Sequence, residues 1–260
     1  MSTKETFYVT SGAVKRNSPS YVSRKADQEL LDALLARKFC YVLTPRQMGK
    51  TSLVVRSAAQ LRERGLAVAN VDLGGLGQPA SSTQWYRSIL RVIGQQLRLE
   101  AELLEFWRQH PDDSPLTRLM DAIQEVALEK SNSPVVIFID EIDQVRSLTF
   151  DTAEFFTAIR SLYIKRSFDE RLERLTFCLL GVASLSDLIG GTLTTPFNIG
   201  DQIELSDFTE KEAAPLMEGL GRDKDLSTYL LHRALHWTGG HPYLTQTLCD
   251  AVAKDASVSS

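Results

Sequence analysis

Apolar positions along this chain alternate between two periods. Leu30, Leu31, Leu34 and Leu35 form a stripe that predicts a helix over Asp27–Arg37. The apolar run Phe39–Leu43 predicts a first strand. Thr51–Arg64 then sets Val54, Ala58 and Leu61 on one helical face, and Gly65 stops it. Leu66–Leu73 alternates apolar with small or polar residues and reads as a second strand. Gly74, Gly75, Gly77 and Pro79 open a loop after it. Ser82–Arg108 is patterned as one helix through Trp85, Ile89, Val92, Ile93 and Leu97. Pro115–Glu129 is another, with Pro115 suited to a first turn.

Val135–Ile139 is an unbroken apolar run, the mark of a strand buried on both faces of a parallel sheet. Phe150–Lys165 reads as helix, Leu175–Ala183 as a further buried strand, and Gln202–Leu205 as a short edge strand. From Asp207 the pattern is wholly helical, through Glu210–Leu220, Leu226–Trp237 and Pro242–Lys254. Strands alternating with helices predict a right-handed parallel βαβ sheet, and the helical tail predicts a small second domain. The expected division is an arm over 1–20, an α/β domain over 21–206, a helical domain over 207–256 and a tail over 257–260.

The 260 residues, 43% hydrophobic and 24% charged, have ordinary globular composition. A net charge of −4 gives no overall pull towards nucleic acid or anionic membrane. No basic, aromatic-interleaved stripe stands out in the linear sequence, so nucleic acid is expected to be an unlikely partner. No apolar run approaches the ~20 residues of a membrane span, and the largely polar start shows no secretory h-region. Cys40, Cys178 and Cys249 share no metal-like spacing and sit among apolar residues. Buried, reduced thiols in a cytoplasmic protein are the reading.

Chemistry concentrates in two strings. Thr44-Pro45-Arg46-Gln47-Met48-Gly49-Lys50-Thr51-Ser52 lies between the first strand and the helix that follows. Backbone N–H groups of such a loop can curl round phosphates, with Lys50 on the outer phosphates and the Thr51 hydroxyl on Mg²⁺. The usual first glycine is replaced by Thr44. Pro45 biases its predecessor towards extended geometry, so Thr44 can end the strand while Gln47–Thr51 make the turn. The second string is Asp140-Glu141 at the C-terminal end of the Val135–Ile139 strand, where open α/β sheets bind ligands. Neighbouring strand residues point to opposite sides. Asp140 is therefore expected to hold Mg²⁺, largely through water, and Glu141 to polarise the attacking water.

With these strings go Phe7–Thr10, Ser18–Val22, Arg24, Ala26-Asp27, Asp140–Asp143, Gly181–Ser184, Pro196–Gly200 and Gly239–Leu244. Together they resemble the AAA-like domain family of bacterial P-loop ATPases within the STAND group, the signal-transducing ATPases with numerous domains. That family itself reads Thr-Pro-Arg-Gln at the loop entrance. The resemblance implies a P-loop NTPase parallel-sheet sandwich of the ASCE/AAA-like type followed by a small helical lid. It implies that Tyr21–Arg24 wraps the adenine with Arg24 near the nucleotide, Arg24 on a solvated helix approach being the alternative. It implies Ser184 as a γ-phosphate sensor, or a serine satisfying its own turn. It implies His241, followed by Pro242, as a lid contact to the β-phosphate. Gly239 and Gly240 ending one helix and Pro242 starting the next fit that role and also stand without it. Arg160 and Arg166 either face solvent or serve a neighbouring subunit as an arginine finger.

The expectation is thus a Mg²⁺-dependent module that binds ATP or ADP, hydrolyses ATP slowly, and switches conformation or assembly. Self-association, or sensor and effector domains attached or as partners, would complete it. The family's usual winged-helix and sensor parts are missing beyond Asp255, which fits a fragment or a stand-alone unit. A nucleic-acid motor or loader, and a nucleotide-binding scaffold with little hydrolysis, are the rival classes.

Overall fold

The computed structural model describes residues 7–77, 79–182 and 200–255. In chain order the elements are α1 (Lys25–Leu35), β1 (Cys40–Leu43), α2 (Lys50–Glu63), β2 (Ala67–Asp72), α3 (Ser82–Leu97) and α4 (Glu100–Gln109). Next come α5 (Pro115–Asp121), a π-helical stretch (Ala122–Ala127), α6 (Leu128–Lys130), β3 (Val135–Asp140), α7 (Ala153–Lys165) and β4 (Leu175–Gly181). They end with β5 (Asp201–Gln202), α8 (Glu210–Ala213), α9 (Lys224–Thr238) and α10 (Pro242–Lys254). The chain forms two compact units. One draws on residues within 29–44 and 60–203, the other on residues within 1–28, 45–59 and 204–260.

The first unit carries a five-stranded sheet in the order β2-β3-β4-β1-β5, with every neighbouring pair parallel. The parallel sheet read from the sequence is therefore present, with β4 between β1 and β3. β3 and β4 are buried along their whole length, which is why they read as continuous apolar runs. Trp85, Ile89 and Ile93 of α3 pack with Val71, Ile137, Ile139 and Phe177 of the sheet and Phe155 and Ile159 of α7 in one core.

The helix expected over Ser82–Arg108 is two. Arg98 adopts a left-handed conformation (φ 61°) whose N–H returns to the Gly94 carbonyl, and α4 starts afresh at Glu100. The helix expected over Pro115–Glu129 widens into its π-helical stretch, which keeps Ile123, Val126 and Ala127 buried. The edge strand is shorter than Gln202–Leu205. Asp201 and Gln202 pair with Cys40 and Tyr41, and Ile203 donates to the Tyr41 carbonyl at 3.0 Å.

The second unit has its own core of Tyr8, Val22, Phe208, Ala213, Leu216, Leu220, Leu231, Ala234 and Cys249. A capping box starts α8, Thr209 and Glu212 each satisfying the other's backbone N–H. Asp223 caps α9 by accepting from the Leu226 N–H at 3.0 Å. Tyr8 anchors the N-terminal segment here, its hydroxyl donating to the Leu216 carbonyl at 2.6 Å.

Candidate functional site

The loop between β1 and α2 has the backbone that anion binding needs. The Thr44 N–H donates to the Gly181 carbonyl at 3.2 Å, carrying the β1–β4 ladder one residue beyond Leu43. Gln47 (φ 64°) and Gly49 (φ 90°) then take left-handed conformations and turn the chain into α2. Such a succession of backbone N–H groups forms an anion-binding concavity, and the N-terminus of α2 adds its dipole. Lys50 and Thr51 open that helix. The Lys50 ammonium reaches back across the loop to the Pro45 carbonyl at 2.9 Å. Pro45, Arg46, Gln47 and Thr51 are exposed, while Thr44 and Met48 are buried. The Ser52 hydroxyl accepts the Val14 N–H at 2.9 Å, which ties an N-terminal segment to α2.

Arg24 lies against this loop. Its Nη1 donates to the Met48 carbonyl at 2.9 Å and to the Ser206 carbonyl at 3.1 Å. The alternative of a solvated helix approach therefore fails, since Arg24 is buried. Burial lowers its pKa below the usual arginine value, opposed by the neighbouring Tyr21 and Asp27. Asp27 organises the segment. One oxygen accepts the Arg24 N–H at 2.9 Å, and the other accepts the Tyr21 hydroxyl. Tyr21 in turn lies under the Arg56 guanidinium, 4.5 Å from its ring centre.

In the sheet-bearing unit, Asp140 ends β3 and is 5% exposed. Its Oδ1 accepts the Glu141 N–H at 2.8 Å. Glu141 itself is left-handed (φ 55°, ψ 43°), a conformation costing on the order of 1–2 kcal/mol for an L-residue with a Cβ. Glu141 lies beyond the strand, so strand alternation does not set the direction of its side chain. The Glu141 carboxylate rests over Gly74, where an added Cβ would collide with it. Asp72, paired with Asp140 in register, holds that loop by accepting the N–H groups of Gly74 (2.9 Å) and Gly75 (3.2 Å). Sequence reasoning missed Asp72 and Gly74 as neighbours of Glu141. The only signal was a glycine pair directly after a strand.

Ser184 lies outside the described residues. His241 precedes Pro242 at the start of α10, and its Nδ1 is buried with no hydrogen-bond partner among the described residues. Arg166 is half-buried. It donates to the Arg37 carbonyl at 2.6 Å and to the Leu175 carbonyl, and lies over Phe39 at 4.4 Å. Arg160 is half-buried, with its Nε inaccessible. Among the described residues no cluster of three or more His, Cys, Asp or Glu side chains is arranged to hold a metal. The Thr51 hydroxyl and Asp140 carboxylate are hard oxygen donors of the kind Mg²⁺ takes, and that ion needs few from protein. No helix among the described residues is long and apolar enough to cross a membrane.

A family model described as an AAA-like domain matches residues 9–259. An uncharacterized WD repeat-containing protein of Synechocystis sp. is 42% identical over 254 residues, covering 96% of this chain. The chain spans only 21% of that relative's length. Among solved structures, a Walker-type ATPase of Pyrococcus abyssi superposes with a TM-score of 0.61 at 16% identity, covering 91% of this chain and 69% of that one. The ORC1 protein of Aeropyrum pernix, solved in complex with DNA, gives 0.52 at 13% identity, covering 89% and 59%. AMPPCP-bound DnaA of Aquifex aeolicus gives 0.50 at 14%, covering 91% and 63%. These likenesses identify the fold as the parallel-sheet P-loop core with C-terminal helices that the sequence predicted. They also correct one expectation. Nucleic acid was judged an unlikely partner from composition, yet this fold recurs in a protein solved on DNA. Net charge averages over a surface and cannot exclude a local contact.

Proposed function

The chain belongs to the AAA-like domain family, and from that premise we propose that it binds ATP with Mg²⁺, hydrolyses it slowly, and changes conformation or assembly with its nucleotide state. One observation carries this reading: the loop that turns through left-handed Gln47 and Gly49 to set Lys50 and Thr51 at the head of α2. In it, the loop residues Thr44–Ser52 cradle the phosphates, and Lys50 neutralises the outer ones. The Thr51 hydroxyl and the Asp140 carboxylate would serve as oxygen ligands for Mg²⁺, which would neutralise phosphate charge. Glu141 orients a water and accepts its proton as the water oxygen bonds to the terminal phosphorus and ADP leaves. His241 and Pro242 contact the phosphates from a lid within 207–256, the α/β domain being 21–206. Calorimetric titration with ATP and ADP, with and without Mg²⁺, tests the assignment. A folded protein that takes up neither nucleotide at millimolar concentration refutes it.

For the output, action on nucleic acid has the better support. The fold is shared with proteins whose solved structures include ORC1 on DNA and with DnaA. A surface feature agrees with it. Tyr229, Arg233 and Trp237 stand four residues apart on α9, so they share a face. Tyr229 is 59% and Trp237 69% exposed, Arg233 lies 5.7 Å from the Trp237 ring centre, and His232 and His236 are exposed beside them. Exposed rings interleaved with cations suit stacked bases, at ~1–3 kcal/mol per base. The second reading, a STAND-type signalling switch, is supported by the WD repeats in the name of the Synechocystis relative. Phosphate release measured with and without single-stranded and duplex DNA separates them. Stimulation by DNA that Trp237→Ala abolishes supports the first. Nucleotide-dependent self-association indifferent to DNA supports the second, and binding without turnover leaves a scaffold.

A further inference from the structure

Arg24 joins two parts of the chain that are far apart in sequence. A phosphate-cradling loop must aim its N–H groups inward, which turns its carbonyls outward and leaves them to be satisfied from behind. Arg24 does this for Met48, and its Nη2 sits 3.1 Å from where a Cβ on Gly49 would be. The same Nη1 also holds the Ser206 carbonyl, and the guanidinium lies 5.4 Å from the centre of the Phe208 ring. Phe208 continues the connection, its N–H donating to the Gly240 carbonyl at 2.8 Å, directly before His241. The arginine backbone is fixed too, since Asp27 accepts the Arg24 N–H while its other oxygen accepts from Tyr21. Every group in this series is supplied by one compact unit.

We propose that Arg24 is a positioning residue that holds the phosphate loop in its nucleotide-accepting form and couples it, through Ser206 and Phe208, to the Gly240-His241 turn. The proposal rests on the ATP reading above. It acts through the loop carbonyl, so the expected signature is on affinity and coupling. Arg24→Lys keeps charge and length, but a single ammonium cannot reproduce the planar guanidinium bridge. The test compares parent, Arg24→Lys and Phe208→Leu by ATP titration, steady-state ATPase kinetics, and hydrogen exchange over residues 206–241 with a saturating non-hydrolysable ATP analogue.

In the parent, the analogue slows exchange over 206–241. In folded Arg24→Lys, ATP binds about tenfold or more weakly, as for the loss of a charge-assisted hydrogen bond. KM rises more than kcat falls, and the protection over 206–241 is lost even at saturation. Phe208→Leu leaves ATP affinity near that of the parent and loses the protection as well. Parental affinity in Arg24→Lys, or protection surviving saturation in either variant, overturns the proposal. If Arg24→Lys fails to fold, Phe208→Leu decides, because Arg24 is then intact. A parent that binds no ATP refutes the nucleotide reading itself, and this proposal falls with it. That result is distinct from a binding parent with indifferent variants.

Discussion

Replacing Gly74 with alanine should separate catalysis from stability. Gly74 opens a short 3₁₀ turn and does not have a positive φ, so alanine fits its backbone. Restricting the unfolded chain at such a position stabilises by about 0.4–1 kcal/mol. Against this stands the new Cβ, which would occupy the space of the Glu141 carboxylate. It would lie 3.1 Å from the Glu141 Cδ and 3.3 Å from Asp72 Oδ1. The obstructing group is the far end of a flexible side chain, so it yields cheaply by swinging aside. The two effects nearly offset, and thermal unfolding should stay within about 1 kcal/mol of the parent. Turnover should not. Moving Glu141 by about an ångström should cost roughly 10²-fold in kcat, the usual penalty for misplacing a reacting group. ATP affinity should be unchanged, because the loop of residues 45–52 is untouched. Phosphate release, calorimetry and thermal denaturation read the three quantities. Gly75→Ala is the control, the three nearest neighbours of its Cβ all belonging to Asp72, with Oδ2 at 3.2 Å. A Gly74→Ala protein turning over at the parental rate refutes the placement of Glu141 as the water-directing base.

Further outcomes are expected. Lys50→Ala should abolish tight ATP binding in a protein that still folds, since the side chain hydrogen-bonds a carbonyl of its own loop; unchanged affinity by calorimetry would refute the phosphate-loop assignment. Glu141→Gln should lower turnover by ~10²–10⁴-fold with ATP still bound, while Asp140→Asn should weaken the Mg²⁺ dependence of binding, both checked by phosphate release across a Mg²⁺ titration. Burial pushes the Cys40 and Cys249 thiols up to about 12 and Cys178 well above its ordinary value, so the thiolate fraction is negligible and native protein at pH 8 should resist thiol reagents, with all three reacting in denaturant. Rapid labelling of the native state would contradict the burial.

The parts of this fold that could be read from sequence are those whose physics is local or unambiguous. β3 and β4 are buried on both faces, so nothing interrupts their apolar runs. The loop between β1 and α2 is contiguous, so its glycine, lysine and threonine appear together. Where the apolar spacing simply continued, the break was hidden. Ile93, Leu97, Ala101 and Leu104 keep a helix-like spacing across the left-handed Arg98, and only the geometry there shows two helices. Contacts made by distant segments were hidden as well. Nothing in Asp72 or Gly74 points along the chain to Glu141, and nothing in Arg24 points to Met48 or Ser206. The α9 face was missed for a third reason: an overall charge of −4 gives no view of where single cations and rings fall on one helix.

Asp140 and Glu141 are neighbours along the chain held in different surroundings. A carboxylate is committed by what donates to it. Asp140 stays in β3, is nearly excluded from solvent, and takes the N–H of the very next residue on Oδ1. Directly after it the backbone turns into the left-handed region at Glu141. That turn carries the Glu141 side chain off the strand and onto the bare Cα of Gly74. Asp72 completes the arrangement by pinning the glycine turn from the adjacent strand. A substitution at any one of these four positions should be felt at the others, so Asp72→Ala and Gly74→Ala are expected to be non-additive in turnover. If their effects on kcat simply multiply, the two residues act independently and Glu141 owes its position to its own backbone alone.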